Sequence, residues 1–355
     1  GNYNLGVGND TLVLANGTNN LTVSNIETVT GHSGADTVTL AAALSGGVIN
    51  LGAGVDKLTL VSGTNNLTVS GVETLTGNAG ADTITLGASI SGARIDLAGG
   101  VDKLVLADGG NTVTVLAIET VVGGSGADVV SLGAVVSSGS FSLGDGSDTL
   151  ALYNGTNKLT LDDSIETVLG NAGADTITLS AAVSGHVYNL GGGTDTLVLF
   201  NGANDVTVSG AETITGNSGA DNVTLGATVA GAIINLAAGA DALALANGTN
   251  SLKAIGVESI TGGTGNDTVT LGTALSGDVI NLGTGTDKLV LASGTNNLTV
   301  SNTETVVGVG GADTVTMATA FSGGTANLAS GVDKLVLANA TNSFNASGVE
   351  TIVGG

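Results

Sequence analysis

The chain is built from one sequence unit that recurs every 46 residues. A Glu followed by Thr or Ser marks each unit, and successive markers are 46 residues apart, with one step of 47. The extra residue falls between Asp148 and Glu166. A unit this short cannot bury its own apolar face, so the pattern predicts stacked repeats, a single continuous solenoid over 1–355 of just under eight units. The markers are Glu27, Glu73, Glu119, Glu166, Glu212, Glu258, Glu304 and Glu350.

A second series, of Asp, runs inside each unit with steps that alternate between 26 and 20 residues, with one step of 27. At all fifteen places a Gly stands two residues before the Asp, and aliphatic residues follow at the second and fourth positions after it. This G-x-D-x-U-x-L pattern, in which U is aliphatic, is typical of a tight turn followed by a short strand with alternate residues buried. The series is Asp10, Asp36, Asp56, Asp82, Asp102, Asp128, Asp148, Asp175, Asp195, Asp221, Asp241, Asp267, Asp287, Asp313 and Asp333.

The rest of each unit also reads as short strands separated by Gly, Asn and Ser, the residues of tight turns. Helical spacing is nowhere sustained, and the absence of Pro fits interior strands, since Pro would remove ladder hydrogen bonds. The sequence therefore predicts an all-β fold, a parallel β-solenoid of the β-helix or β-roll kind. We expect two coils in each 46-residue repeat, one of 26 and one of 20 residues, and about 15 coils. One further inward column is predicted at Leu44, Ile90, Val136, Val183, Val229, Leu275 and Phe321.

Composition narrows the function classes. With 30 acidic against 7 basic residues the formal net charge is −23, which excludes a nucleic-acid partner because no basic patch can form. No apolar run approaches the ~20 residues of a membrane span, so we expect no membrane insertion. The chain has no Cys, which removes disulfide and thiolate-metal chemistry and is compatible with an extracellular or cell-surface location.

The Asp series is the main functional candidate, and all fifteen members are candidate metal ligands. One Asp per coil makes an edge of carboxylates ~4.8 Å apart, where neighbours repel by ~3–4 kcal/mol at an effective dielectric near 20. Such an edge favours a cation, and oxygen ligands favour Ca²⁺. The alternative is that each Asp caps its own turn by accepting backbone N–H groups.

Two segments carry a resemblance to a known family. Gly123–Ser131 (GGSGADVVS) and Gly262–Thr270 (GGTGNDTVT) resemble the G-G-x-G-x-D-x-U-x nonapeptide of RTX, or hemolysin-type calcium-binding, proteins. More loosely, the whole chain resembles the β-strand-repeat segments of secreted and S-layer-like bacterial proteins. The resemblance implies that Asp carboxylates and turn carbonyls from consecutive turns hold Ca²⁺ in a parallel β-roll. The complete motif occurs at two of fifteen turns, and Gly four residues before the Asp at only seven, so some turns depart from the family pattern.

The other recurring polar residues have simpler interpretations. Each Glu lies nine residues before an Asp of the series and is either an auxiliary ligand from an adjoining turn or a solvated strand-edge acid or cap. An Asn series in Gly-Thr-Asn-like turns is explained by a left-handed backbone or a side-chain cap. Its members are Asn19, Asn65, Asn111, Asn157, Asn204, Asn250, Asn296 and Asn342.

Catalysis finds no support, and we expect the protein not to be an enzyme. His32 and His186 occupy different positions of their units, and every acid of the two series is copied from unit to unit, so no unique site is specified. The alternative functions are binding modules. Thr-x-Thr strands suggest ice binding, which an unbroken Thr rank would favour, and a cluster of Tyr3, Tyr153 and Tyr188 would favour carbohydrate.

We therefore expect a structural protein of the cell surface or extracellular space, such as an S-layer-like coat, an adhesin stalk or a filament, rigidified by calcium. The chain begins and ends in mid-unit, which predicts a segment of a longer solenoid or end-to-end stacking of copies. The expected partners are therefore neighbouring copies or the rest of a longer solenoid, with a surface polysaccharide as a further candidate.

Overall fold

The computed structural model describes all 355 residues and confirms an all-β parallel β-solenoid. It contains 39 short strands. No helix is long and apolar enough to cross a membrane. The chain divides into two compact units, Gly1–Ile177 and Thr178–Gly355.

In the first unit the strands are β1 (Asn2–Asn4), β2 (Thr11–Val13), β3 (Asn20–Ser24), β4 (Thr28–Thr30), β5 (Thr37–Leu40), β6 (Ser45–Asn50), β7 (Lys57–Thr59), β8 (Asn66–Ser70), β9 (Thr74–Thr76), β10 (Thr83–Leu86), β11 (Ser91–Asp96), β12 (Lys103–Val105), β13 (Thr112–Leu116), β14 (Thr120–Val122), β15 (Val129–Leu132), β16 (Ser140–Ser142), β17 (Thr149–Ala151), β18 (Lys158–Leu161) and β19 (Thr167–Leu169). Strand β20 (Thr176–Leu179) includes the point of division.

In the second unit the strands are β21 (Ser184–Asn189), β22 (Thr196–Val198), β23 (Asp205–Ser209), β24 (Thr213–Thr215), β25 (Asn222–Leu225), β26 (Ala230–Asn235), β27 (Ala242–Ala244), β28 (Ser251–Ile255), β29 (Ser259–Thr261), β30 (Thr268–Leu271), β31 (Ser276–Asn281), β32 (Lys288–Val290), β33 (Asn297–Ser301), β34 (Thr305–Val307), β35 (Thr314–Met317), β36 (Ser322–Asn327), β37 (Lys334–Val336), β38 (Ser343–Ser347) and β39 (Thr351–Val353).

Each turn of the solenoid contains two strands. Within each unit the odd-numbered strands form one parallel sheet and the even-numbered strands form the other, so a strand pairs with the second strand before and after it. The register advances by 17 or 20 residues per turn: Thr22 pairs with Thr39, and Thr39 pairs with Thr59. At the inserted residue the step is 18, from Thr149 to Thr167.

The predicted division into two coils per repeat, and the count of about 15 coils, are wrong. A repeat contains five strands, as in β8 to β12, and at two strands per turn it makes two and a half turns. The mean turn is therefore 46/2.5, or about 18 residues, twice the length of the nonapeptide motif. Because five is odd, consecutive repeats place equivalent strands on opposite sheets: β3 lies in the odd sheet and its equivalent β8 in the even sheet.

The core is a set of aliphatic columns, as the alternation of the strands predicts. Leu58 and Leu75 face inward from adjacent strands of the odd sheet, and Ile84 and Leu104 do so in the even sheet. All four are at most 1% exposed. The further inward column is confirmed in part: four of its residues are buried, and Ile90, Val136 and Val229 are half-buried.

The Gly of the G-x-D motif is fixed by the close approach of successive turns. Gly80 has a left-handed φ of 140°, and a Cβ there would lie 2.4 Å from the carbonyl oxygen of Gly63 in the preceding turn. A Cβ on Gly100, one turn later, would lie 2.0 Å from the carbonyl oxygen of Gly80. Glycine is thus required by φ and by space at the first position, and by space at the second.

Candidate functional site

The Asp, Glu and Asn series meet in one structural feature. Each residue of the three series directly precedes a strand, so stacking of the strands places them in line along the edge of each sheet. In the even sheet of the first unit the line reads Leu44, Asn65, Asp82, Asp102 and Glu119, one residue per turn. We call this five-step arrangement the ladder. It recurs along both sheet edges, because consecutive repeats use opposite sheets.

Hydrogen bonds connect every ladder residue to the next turn. The backbone N–H of Asn65 donates to Asp82 Oδ1 at 2.8 Å, and the backbone N–H of Asp82 donates to Asp102 Oδ1 at 2.7 Å. The backbone N–H of Asp102 donates to Glu119 Oε2 at 2.8 Å. The Asn-to-Asp bond is present at seven places, the Asp-to-Asp bond at six and the Asp-to-Glu bond at eight. Side-chain-to-backbone hydrogen bonds thus link the five turns from Leu44 to Glu119, and a backbone bond from Ser140 N–H to the Glu119 carbonyl oxygen continues to the next turn.

These bonds correct the predicted capping. An Asp does not cap its own turn; its Oδ1 accepts an N–H group from a residue 17 to 20 positions earlier, in the preceding turn. The Glu side chains cap in the same way, because each Oε2 accepts the backbone N–H of an Asp in the preceding turn. This agrees with the predicted role of the Glu as a cap. The Asn series is also a side-chain cap, and the left-handed backbone is wrong for it, since its members do not have positive φ.

In thirteen members of the Asp series the second carboxylate oxygen is buried without a hydrogen-bond partner. Of these thirteen, the twelve that follow Asp10 are at most 1% exposed as residues. A buried carboxylate oxygen left unpaired costs free energy, which a proton, a water molecule or a cation at this oxygen would reduce. The unpartnered atoms are Oδ2 of Asp10, Asp36, Asp56, Asp82, Asp102, Asp128, Asp148, Asp221, Asp241, Asp267, Asp287, Asp313 and Asp333.

The Asp residues occur as pairs in consecutive turns, and the second member of a pair has a neighbouring acid on each side. Burial raises the pKa of Asp102, Asp148 and Asp241 to about 6, opposed by the accepted backbone N–H and reinforced by the adjacent Asp and Glu. Burial likewise raises the pKa of Asp56 and Asp287. Among first members, burial raises the pKa of Asp221, opposed by hydrogen bonds from Asn204.

Oxygen atoms of the kinds that bind hard cations lie close together beside one member of an Asp pair. No group of three or more His, Cys, Asp or Glu side chains is arranged to hold a metal ion. At Gly216 a Cβ would lie 2.7 Å from both Asp221 Oδ2 and the carbonyl oxygen of Leu236 in the following turn. The unpartnered oxygen and a main-chain carbonyl thus border the same space, which the missing side chain of Gly216 leaves open. These are the ligand types that Ca²⁺ prefers.

The fifteen predicted ligands are brought together unequally. Six pairs lie wholly within a unit: Asp36 with Asp56, Asp82 with Asp102, Asp128 with Asp148, Asp221 with Asp241, Asp267 with Asp287, and Asp313 with Asp333. Asp10 has no preceding Asp in the series. Asp175 belongs to the first unit and Asp195 to the second.

The acids of the ladder account for the whole formal net charge of the chain. It holds the 15 Asp of the series and 8 Glu, 23 of the 30 acidic residues. The remaining 7 acids are balanced by the 7 Lys and Arg. The insertion leaves this arrangement intact, because the extra residue is absorbed in a turn where the Ser164 backbone N–H donates to Asp162 Oδ1, and Asp148 still donates to Glu166.

The features that would favour ice or carbohydrate binding are not assembled. In the odd sheet Thr22, Thr39, Thr59 and Thr76 lie in register, but the row ends at Asp96. The parallel row is interrupted by Lys57, which lies between Thr37 and Thr74. Tyr188 is fully buried beside His186, so it cannot join an exposed aromatic cluster.

Comparisons of this chain with protein-family models and with curated proteins found no match.

Proposed function

We propose that the chain is a structural repeat segment of an extracellular or cell-surface protein, in which calcium at the Asp pairs stiffens the solenoid. The observation that carries the proposal is the series of buried Oδ2 atoms without hydrogen-bond partners. The backbone N–H donors of the ladder bind Oδ1 of the Asp side chains. Oδ2 is therefore available to another ligand. A protein coat, adhesin stalk or filament is the use that such a repeated architecture supports best.

The proposed ligands are the Oδ2 atoms of the two Asp in a pair, together with carbonyl oxygens of the two stacked Gly-rich turns. The turns stack directly on one another: Ser33 pairs with Ala53, and Ala79 pairs with Gly99, as isolated parallel bridges. Calcium would cross-link the two turns and neutralise the buried charges. The ladder supports one ion per repeat rather than one per turn, since each repeat contains one Asp pair in its two and a half turns.

The proposal is tested by thermal unfolding of the full chain in EGTA, in Ca²⁺, and in Na⁺ at the same ionic strength. We expect Ca²⁺ to raise Tm and Na⁺ not to, because only a divalent ion with multiple oxygen ligands links two turns. Calorimetric titration should give at least six ions per chain, one for each Asp pair that lies within a unit.

The control is Asp163→Asn, which removes an exposed acid outside the ladder and should leave the Ca²⁺ effect unchanged. Equal Tm values in EGTA and Ca²⁺ would contradict the proposal and leave the inter-turn cap as the whole role of the Asp series. Electron microscopy with and without chelator tests the structural role separately, since the particles should become visibly more flexible when Ca²⁺ is removed.

A further inference from the structure

The recurring Asn of the ladder makes more hydrogen bonds than any other ladder residue. Asn65 is 0% exposed and spans three consecutive turns. Its Oδ1 accepts the backbone N–H of Leu44 at 3.1 Å, and its Nδ2 donates to the carbonyl oxygens of Val61 and Gly63 at 3.0 Å. Its Nδ2 also donates to Asp82 Oδ1 at 2.9 Å. A simple turn cap needs only the two bonds within its own turn, so the bond to Asp82 calls for another explanation.

The two members of an Asp pair are held differently as a result. Asp82 Oδ1 receives two donors from Asn65, the backbone N–H and the side-chain Nδ2, whereas Asp102 Oδ1 receives one backbone N–H. Two donors converging on one oxygen fix the rotation of the carboxylate and decide which oxygen remains free. The same double contact occurs at all seven Asn that precede an Asp in the ladder.

We infer that this Asn is the positioning residue of the cation site: by binding Oδ1 of the first Asp through two donors, it directs Oδ2 toward the cation. The inference rests on the proposed calcium binding and adds the residue that sets its geometry. The Asn stands one turn before each pair, where it contacts the first Asp, and the second Asp receives only the backbone N–H of the first.

One repeat provides a natural variant. At Asn204 the backbone bond to Asp221 Oδ1 is 3.1 Å rather than 2.8 Å, and Asn204 Oδ1 is buried without a partner. The Asn here contacts two turns instead of three: its Nδ2 still donates to Asp221 Oδ1 at 2.8 Å, and the contact that is missing is the one from its Oδ1 to the preceding turn. The site at Asp221 and Asp241 should therefore hold its first Asp less firmly, and bind the ion more weakly, than the site at Asp82 and Asp102.

A single introduced Trp reports on one site at a time, since the chain contains none. Val101, 74% exposed and directly before Asp102, is replaced by Trp, and Tb³⁺ luminescence sensitised from that Trp then monitors the Asp82/Asp102 pair. Displacement of Tb³⁺ by Ca²⁺ gives the calcium affinity. In this background we expect Asn65→Ala to lower the affinity about tenfold. Asn66→Ala, which changes the exposed neighbour at the start of β8, should leave it within about twofold.

The second measurement needs no change at an Asn. Trp at Ala240, the exposed residue before Asp241, should report weaker binding than Trp at Val101. The inference is overturned if Asn65→Ala and Asn66→Ala give the same affinity, or if the two reporter sites bind equally. A Val101→Trp protein that shows no Ca²⁺-displaceable Tb³⁺ signal refutes the calcium site itself, which is a different result from an intact site that does not respond to Asn65.

Discussion

Replacing Asp102 with Asn should stabilise the metal-free protein at alkaline pH. The substitution keeps the shape of the side chain and the Oδ1 acceptor for the Asp82 N–H, and it removes one buried charge. Burial raises the pKa of Asp102 from 3.8 to about 6. Because the folded-state pKa is raised, the folded protein binds this proton more tightly than the unfolded chain. Stability is therefore fully present below pH ~4 and is lost as pH rises through about 6.

The size of the effect follows from that shift. About two pKa units at 1.36 kcal/mol each give roughly 3 kcal/mol, and water at the turn edge reduces this to on the order of 1–2 kcal/mol. The new amide N–H₂ group occupies the place of Oδ2, which has no hydrogen-bond partner, and offsets part of the gain. We expect a net stabilisation of about 1 kcal/mol at pH 8, which is ~2–4 °C in Tm for a unit of this size.

The assay is thermal unfolding in EGTA at pH 8 and pH 4, with Asp163→Asn as the matched loss of an exposed acid. The Tm of Asp102→Asn should exceed that of the control at pH 8. The difference in Tm should disappear at pH 4, where the wild-type carboxyl is protonated. In Ca²⁺ at pH 8 the order should reverse, because the variant lacks a ligand. A variant that is less stable than wild type at pH 8 in EGTA would refute the argument that Asp102 is a desolvated charge.

The other predictions use the same unfolding measurement. Gly100→Ala should cost several kcal/mol, since its Cβ would lie 2.0 Å from the Gly80 carbonyl oxygen, whereas the adjacent Gly99→Ala meets no atom within 4 Å and should be tolerated; equal effects would show that the turns can separate. Leu86→Asp should unfold several turns, because an unpaired charge enters the core, while Thr83→Ser should change stability by less than ~0.5 kcal/mol; limited proteolysis that treats both alike would contradict the assigned alternation. The rise in Tm caused by Ca²⁺ should be smaller at pH 5 than at pH 7.5, since protons compete for the carboxylates whose pKa is raised to about 6; a rise independent of pH would place the ion elsewhere.

Strand positions and the inward columns could be predicted from the sequence, because a period-2 pattern beside Gly-rich turns has few other physical solutions. The number of strands per turn could not be predicted in the same way. The turns at Gly87 and Gly99 both consist of small residues. That composition does not indicate whether the chain closes a coil after two strands or after three. The prediction assumed a whole number of turns per repeat, and the coil lengths were therefore wrong. Because a repeat has five strands, an odd number, consecutive repeats place equivalent strands in opposite sheets.

The sequence predicted the candidate site as a line of Asp. It did not predict that the Asn and Glu series would lie in the same line and hydrogen-bond to it. A usable signal was present: Asn65, Asp82, Asp102 and Glu119 all stand immediately before a strand. Equivalent positions of successive strands stack, so residues that share this place must meet at one edge. Which carboxylate oxygen is satisfied depends on side-chain rotation, and that information exists only in the folded arrangement.

The ladder also changes the meaning of the net charge. The formal charge of −23 equals the number of ladder acids, and outside the ladder the charges cancel. What reads in the sequence as an acidic surface is therefore charge held along the turn edges, where the Asp, Asp10 apart, are buried and the Glu, Glu350 apart, are half-buried. Every added repeat brings two Asp and one Glu to an edge together with its own share of aliphatic core. The repulsion and the burial that opposes it thus grow in proportion to the number of repeats, and so does the number of ions that the proposed calcium binding predicts.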